Sequence, residues 1–407
     1  LGNQNTGDTY AYLEEIVTGQ TLNYTLDGTS KLQYSKPSDP KTSYLTWETI
    51  ATWNIGLDMS FLNNRLTFTG DYFIRNTEGM LADSYELPGV FGAKTPDENC
   101  ADLRTNGWEL YLGWNDSFAL MGKRFNYTVS ATLGDNKTVF TKFNNPEKNL
   151  SNHYEGKVLG EIWGYRVDGL FASDEEAAEY TSKINQDAVN ERILTDKVDP
   201  YYRAGDLKFR DLDGDNVISK GDDTAYDAGD REIIGNETPR YMYSFRLGAD
   251  WNGFDLGIFF QGVGKRDWYP NYLSTGFWGP YSRAFTSFIP ENFMDQCWSE
   301  ENRDGYFPRF RGYQTFAGSQ LGVNNDRYLQ DASYIRLKNL TVGYTLPVLK
   351  KVFTKLRVYF TGENLWYWSP MLKHTKYIDP EAAGGNGNTG MAYNYSRNFS
   401  VGVDITF

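Results

Sequence analysis

Apolar and polar residues alternate with a period of two along much of this chain, the spacing that gives a β-strand one apolar and one wet face. Between Trp47 and Phe61 the odd positions are Trp47, Thr49, Ala51, Trp53, Ile55, Leu57, Met59 and Phe61, while the even ones include Glu48, Asn54, Asp58 and Ser60. Such a run of about fifteen residues is long for a strand surrounded by water. A turn is expected at Asn63-Asn64, since Asn tolerates positive φ, followed by a returning strand with Leu66, Phe68, Tyr72 and Ile74 on one face. The same pattern marks stretches at 108–114, 125–133, 241–251, 254–260, 340–346, 356–360 and 399–407, giving nine strands. Ile335 and Leu337 stand in the opposite phase to the strand after them, which predicts a β-bulge near Asn339.

The connections alternate in length. Short ones at 62–65, 116–124, 252–253 and 347–355 interleave with long ones at 77–105, 135–240, 264–332 and 366–396. Short turns at one end of a sheet and long loops at the other describe an outer-membrane β-barrel, and Trp and Tyr near strand ends suit its interfacial girdles. On that reading the turns are periplasmic, the chain before Trp47 is extracellular and the C-terminus at Phe407 is periplasmic. Nine antiparallel strands cannot close a meander, because the first and last run the same way, so a part of a barrel is expected. The fold class is therefore all-β, divided into a loop segment at 1–46, barrel strands at 47–134, a long insertion at 135–240 and further barrel strands at 241–407. A soluble β-sandwich or propeller gives similar alternation; strand length and loop asymmetry argue against it.

One helix is legible inside the insertion. Ser173 as N-cap with Glu176 three residues on, leading into EEAAEYTSKINQDAV, is a capping box before good helix formers.

Composition narrows the function. No window approaches eighteen consecutive apolar residues, which excludes a transmembrane helix and leaves a barrel open. A net charge of −13 without clustered Lys and Arg argues against nucleic acid as a partner. The two cysteines, Cys100 and Cys297, fall in predicted loops as free or buried thiols, and the two histidines, His153 and His374, read as solvated. Zinc chemistry and His-dependent nucleophilic catalysis thus have little material, and the chain does not read as an enzyme. The start at Leu1, in a polar stretch without a leader, reads as a processed chain or a fragment.

Two constellations carry candidate chemistry. In DLDGDNVISKGD, Asp211, Asp213 and Asp215 occupy positions one, three and five of an EF-hand-type loop, Val217 offers a carbonyl at seven and Asp222 stands at twelve. That spacing suits a hard, oxygen-seeking cation, structural Ca²⁺. Gly214 falls at position four, so Asn216 has to supply the left-handed turn at six, which Asn can do. An acidic turn held by its own Asx hydrogen bonds is the metal-free alternative. The aromatic stretch RDWYPNYLSTGFWGPYSR offers Trp268, Tyr269, Tyr272, Phe277, Trp278 and Tyr281 for contact with substrate or a lid, or for packing of the loop on itself; Trp366, Tyr367 and Trp368 read the same way.

Several stretches resemble the SusC/RagA-type TonB-dependent transporters of Bacteroidetes outer membranes. They are LGNQNTG, LTWETIATWNIGLDMSFLNNRLTFTGDYF, RTNGWELYLGW, GYRVDGLF, GDLKFRDLDGDNVISKGDD, REIIGNETPRYMYSFRLGADWNGFDLGIFFQGV, YIRLKNLTVGYTLP and RVYFTGENLW, in the family's order over nearly the whole chain. The closing FSVGVDITF resembles the aromatic C-terminal strand of outer-membrane proteins. The resemblance implies the C-terminal portion of a plugged barrel of about 22 strands. It implies as partners the remaining N-terminal barrel portion, TonB acting through a plug absent from these residues, and a SusD-like surface lipoprotein as lid, and it is compatible with a dimer of transporter–lipoprotein pairs. The function expected is import of an oligosaccharide or peptide across the outer membrane. A soluble β-rich carbohydrate-binding module or glycan-active enzyme is the alternative.

Overall fold

The fold is that of a computed structural model. It describes residues 2–4, 13–22, 24–25, 28–42, 45–83, 90, 92–283, 285, 287, 289, 291–347, 354–383 and 394–406. Phe407 and the Gly-rich 384–390 stretch therefore lie outside the described residues.

One antiparallel sheet dominates, with ten strands in chain order. They are β1 (Gly2–Gln4), β2 (Glu48–Phe61), β3 (Leu66–Asp83), β4 (Asp97–Leu120), β5 (Lys123–Lys142), β6 (Arg240–Trp251), β7 (Phe254–Lys265), β8 (Tyr334–Leu346), β9 (Lys355–Trp368) and β10 (Asn398–Thr406). β2 to β10 are the nine strands of the alternation; β1 is a short addition that pairs only with residues 48–50 of β2. The strands run well past their alternating segments. β4 has 24 residues, roughly 80 Å at about 3.3 Å per residue, whereas its alternation covers only 108–114.

The tight turns gather at one end of the sheet. Leu62, Asn63 and Asn64 all have positive φ, and Asn252 (51°) followed by Gly253 (87°) makes the two-residue turn between β6 and β7, the left-handed pair that matches strand twist. Met121 and Gly122 do the same between β4 and β5, so that turn is shorter than the 116–124 expected. The bulge falls where the phase changes: Asn339 and Leu337 face Phe259 and Phe260 consecutively, leaving Lys338 unpaired. That extra residue returns Ile335 and Leu337 to the face that Val342 occupies.

The two faces of the sheet differ in chemistry. Trp53, Ile55 and Leu57 of β2, Leu110 and Leu112 of β4, and Val401, Val403 and Ile405 of β10 are exposed, with Leu57 at 55% and Val401 at 77%. The other face carries polar ladders: Thr69 donates to Asp58 (2.7 Å), the Thr132 and Ser244 hydroxyls meet at 2.6 Å, and Arg357 bridges Asp255 and Asp404. Glycine fits close approaches on this face; a Cβ on Gly402 would run into the Tyr359 ring.

The hydrophobic core lies elsewhere, in a cap built at the loop end. It draws Leu207, Phe209 and Ile218 from the connection before β6, Trp278, Tyr281 and Phe307 from that before β8, and Met371 and Ile378 from that before β10. Helix α1 (Asp174–Thr181) sits in the first of these. Ser173 Oγ accepts from Glu176 N–H, and Glu176 accepts from Ala172 N–H at 2.7 Å. The helix ends earlier than its propensity suggests, because Asn185 is drawn out to pair with the acidic loop, donating to Asn216 O (2.8 Å) and accepting from Ile218 N–H (2.7 Å).

Candidate functional site: the cap, its cavity and the acidic loop

The cap is anchored to the sheet by buried ion pairs. At the base of the connection between β5 and β6, Arg240 of β6 pairs with the buried Asp135 of β5 and ties the two strands to each other. On β8, the buried Arg336 pairs with Asp379 and approaches Glu381 at 3.0 Å, while the bulged Lys338 reaches Glu381 at 2.8 Å. The Arg336 guanidinium also lies 4.7 Å from the Tyr367 ring. Inside the cap, Arg311 holds Asp206 in a two-pronged pair, both bonds 3.1 Å, and Gln320 donates to the same carboxylate. Such charge-assisted forks fix geometry as well as adding energy. None of these partnerships was visible in the sequence, because Asp206 and Arg311 are 105 residues apart and no local pattern couples them.

The aromatic stretch divides in two. Trp268, Phe277, Trp278 and Tyr281 are inside the core. Trp278 meets Tyr328 at 5.4 Å and Tyr281 stacks on Phe307 at 5.8 Å, while Trp278 Nε1 donates to the carbonyls of Pro270 and Asn271. These rings hold the cap together and present no surface for a ligand. Tyr269 and Tyr272 instead line a cavity of about 510 Å³ at the cap surface, together with Asn271, Phe316 and Asn324. Tyr272 is 43% exposed, and its carbonyl is gripped by Ser282 Oγ (2.7 Å) and Thr315 Oγ1 (3.0 Å). Its ring lies 5.3 Å from that of Phe316. The Tyr269 hydroxyl donates to Val323 O at 2.8 Å, and burial pushes its pKa well up. Phe316 and Asn324 were missed in the sequence, since 313–324 carries no alternation. Trp366 and Trp368 fall on the exposed side of β9 with Val358 and Phe360, as girdle residues do.

The polar face of the sheet also holds a concavity of about 350 Å³, lined by Thr69, Asp71, Glu109, Tyr111, Thr132 and Met242.

In the acidic loop the structure brings Asp211, Asp213 and Asp215 together, each offering an oxygen within 4.8 Å of the others. Asn216 takes a φ of 65°, the left-handed turn required of it. Asp211 accepts from Gly214 and Asn216 N–H (2.7 and 2.9 Å), and Asp215 accepts from Val217 N–H at 2.6 Å. Three clustered carboxylates with free lone pairs suit a hard cation. Asp222 is exposed and outside the group, and the pairing with Asn185 makes no use of the Val217 carbonyl. The buried Asp230 closes the loop by accepting from Leu212 and Ser219 N–H (2.7 and 2.8 Å). Burial pushes its pKa up, and the nearby Asp213 and Asp211 add to this.

The remaining candidates settle into structural places. Cys100 lies in β4, not in a loop, because that strand outruns its apolar segment, and Cys297 is a buried thiol whose pKa burial pushes up. His374 is not solvated. It stacks on Tyr306 at 3.6 Å, and burial with the Lys373 and Arg327 charges brings it down to about 4.

No family model matches the chain. It is 28% identical to TonB-dependent receptor P3 of Formosa agariphila, over 89% of this chain and 34% of the receptor. To TonB-dependent receptor SusC of Bacteroides thetaiotaomicron it is 24% identical, over 100% of this chain and 36% of that one. Among solved structures, the RagAB peptide transporter matches with a TM-score of 0.69 at 22% identity, over 100% of this chain and 40% of the solved one. The chain thus spans little more than a third of the length of these receptors. It is a relative of the SusC/RagA-type TonB-dependent transporters, with the fold of a part of their barrel and of the loops above it.

Proposed function

We propose that this chain is the C-terminal barrel portion of a TonB-dependent outer-membrane importer for oligosaccharide or peptide. One observation carries the reading: an antiparallel sheet with an exposed apolar face ends in tight turns on one side and a packed cap on the other, and it superposes along its whole length on a transporter barrel. Lipid is the solvent that such a face fits. Most of the outer edge of β2 and the outer edge of β10 have no partner strand among the described residues. Open edges are untenable in a bilayer, so further strands, the N-terminal barrel portion, complete the wall. The turns are periplasmic, as is the C-terminus, and the cap meets a SusD-like lipoprotein lid. TonB acts on a plug outside these residues. The soluble-module alternative would leave the apolar face in water. In the cap, the Asp211, Asp213 and Asp215 cluster is a structural Ca²⁺ clip, holding the segment that Asn185 ties to α1.

The test uses the full native polypeptide in its outer membrane, with Cys100→Ser, Cys297→Ser and one cysteine introduced at either Ser151 or Met121. A membrane-impermeant maleimide should label the Ser151→Cys variant on intact cells and the Met121→Cys variant only after the outer membrane is opened. Labelling in the reverse order would overturn the orientation, and recovery of the chain from the soluble fraction would overturn the importer reading. Uptake should also stop when TonB is deleted, and the lipoprotein should co-purify in detergent.

A further inference from the structure

The cavity beside Tyr272 has a charge character opposite to that of the chain. The protein carries a net charge of −13, yet among the described residues no Asp or Glu lines this cavity, and its charged lining residue is Arg283. No described carboxylate comes within ion-pair distance of Arg283, whereas Arg203, Arg210, Arg311 and other cap arginines are paired. The lining is also aromatic, with Tyr272 set against Phe316 and the Arg192 guanidinium 5.7 Å from the Phe316 ring. Arg192 likewise makes no ion pair with a described carboxylate, so a second guanidinium stands beside the aromatic part of the lining, with the Glu191 carboxylate close to Gly318. The rest of the lining spends its hydrogen bonds inward, through Thr315 to Tyr272 O and Asn324 Nδ2 to Trp163 O. The Arg283 guanidinium is left to a ligand.

The geometry points to a binding site for a carboxylate-bearing ligand, whose anion pairs with Arg283 while a ring or apolar part lies against Tyr272 and Phe316. Guanidinium matches carboxylate with two parallel hydrogen bonds, and an aromatic wall accepts a sugar or side-chain face. The carboxylate can come from an acidic oligosaccharide or from a peptide. The inference rests on the importer reading, which brings soluble ligand to the cap, and deepens it by naming the ligand's charge.

The experiment is calorimetric titration of the detergent-purified native complex. One arm compares trigalacturonate with neutral maltotriose; the other compares a tripeptide having a free carboxyl terminus with its amide. In at least one arm the carboxylate probe should bind about tenfold or more tighter than its neutral counterpart, and that arm identifies the source. Arg283→Gln should remove the difference, a loss of about ten- to a hundredfold, Arg283→Lys should keep part of it, and Tyr272→Ala should weaken both probes of the pair. Equal binding of charged and neutral probes in both arms, no binding of either carboxylate, or a preference that survives Arg283→Gln would each overturn the site. Membrane insertion, read on the same preparation by detergent dependence, tells this failure from that of the importer reading. A complex inserted in the membrane but indifferent to carboxylate refutes the site alone.

Discussion

The sheet and the cap are made from the same kinds of residue put to opposite uses. In the sheet, Trp53, Leu57, Phe360 and Val401 point outward and stay exposed, while threonine hydroxyls and charges are gathered on the other face. In the cap, Trp278, Tyr281, Phe307 and Tyr328 are fully buried, and the buried carboxylates are held by a guanidinium, as Asp206 is by Arg311, or by backbone N–H groups, as Asp230 is. One chain therefore obeys two solvents: the sheet hides its polar ladder from lipid, and the cap hides its rings from water. Exposure of large apolar side chains, a liability in a water-soluble protein, is here the mark of the wall.

Breaking the cap should have the largest effect. Trp278→Ala removes a fully buried ring that touches Phe277, Phe307 and Tyr328, at a cost of about 3–5 kcal/mol. The loss should be confined to the cap: proteolysis of the loops should begin at lower urea, while the heat-dependent gel shift of the barrel stays unchanged. If both transitions moved together, cap and wall would be a single cooperative unit and the contrast between them would fail.

Next in size is a charge on the outward face. Leu57→Arg in reconstituted vesicles should cost about 2–4 kcal/mol if its side chain meets the hydrocarbon band, and Met121→Arg at the turn about 0–1. In water both exposed positions would tolerate Arg within about 0.5 kcal/mol. Equal, small effects on urea unfolding would place this face in water.

How much of this was legible follows from the same division. Inside the lipid band the solvent writes a strict alternation, so β2 and β10 could be read directly, together with the Asn252-Gly253 turn and the phase shift that betrays the bulge at Lys338. Above the band no solvent enforces alternation, which is why β4 continues through Cys100 unannounced and why 77–105 resembled a loop. The cap was the least legible part, because its order comes from contacts across more than a hundred residues, such as Arg311 with Asp206. Propensity within 173–189 correctly placed Ser173 and Glu176. It could not foresee that Ile218, buried on the far side of the insertion, would take Asn185 out of the helix.

Calcium tests a smaller effect within the cap. At a tenfold excess over its dissociation constant, a bound ion stabilises by about 1.4 kcal/mol, and extracellular sites of this ligand type sit near millimolar. Chelation should therefore shift protease resistance of the cap by about that much and leave the wall unaffected. The double variant Asp213→Asn, Asp215→Asn should show no response to calcium. A response undiminished in that variant would remove the acidic loop as the site.

The smallest effect is one of pH, and it too should single out the cap. The ordinary pKa of histidine, 6.5, is lowered to about 4 at His374, first by burial and then by the Lys373 and Arg327 charges. The folded cap thus prefers the neutral ring, which lies flat on Tyr306 at 3.6 Å. As pH falls below about 6.5 the unfolded chain takes up a proton that the folded one refuses, so stability declines down to about 4 and then levels. Because the ring is only half-buried, solvent screening limits the effect to about 1 kcal/mol or less. His374→Gln should flatten cap stability between those limits when protease resistance is followed against pH, and Lys373→Met should narrow the window by letting the folded ring protonate earlier. A cap transition with the same pH dependence in His374→Gln would show that other groups govern it. The wall, which has no histidine in its described strands, should show none of this dependence, and the two regions would then be separable by proton concentration alone.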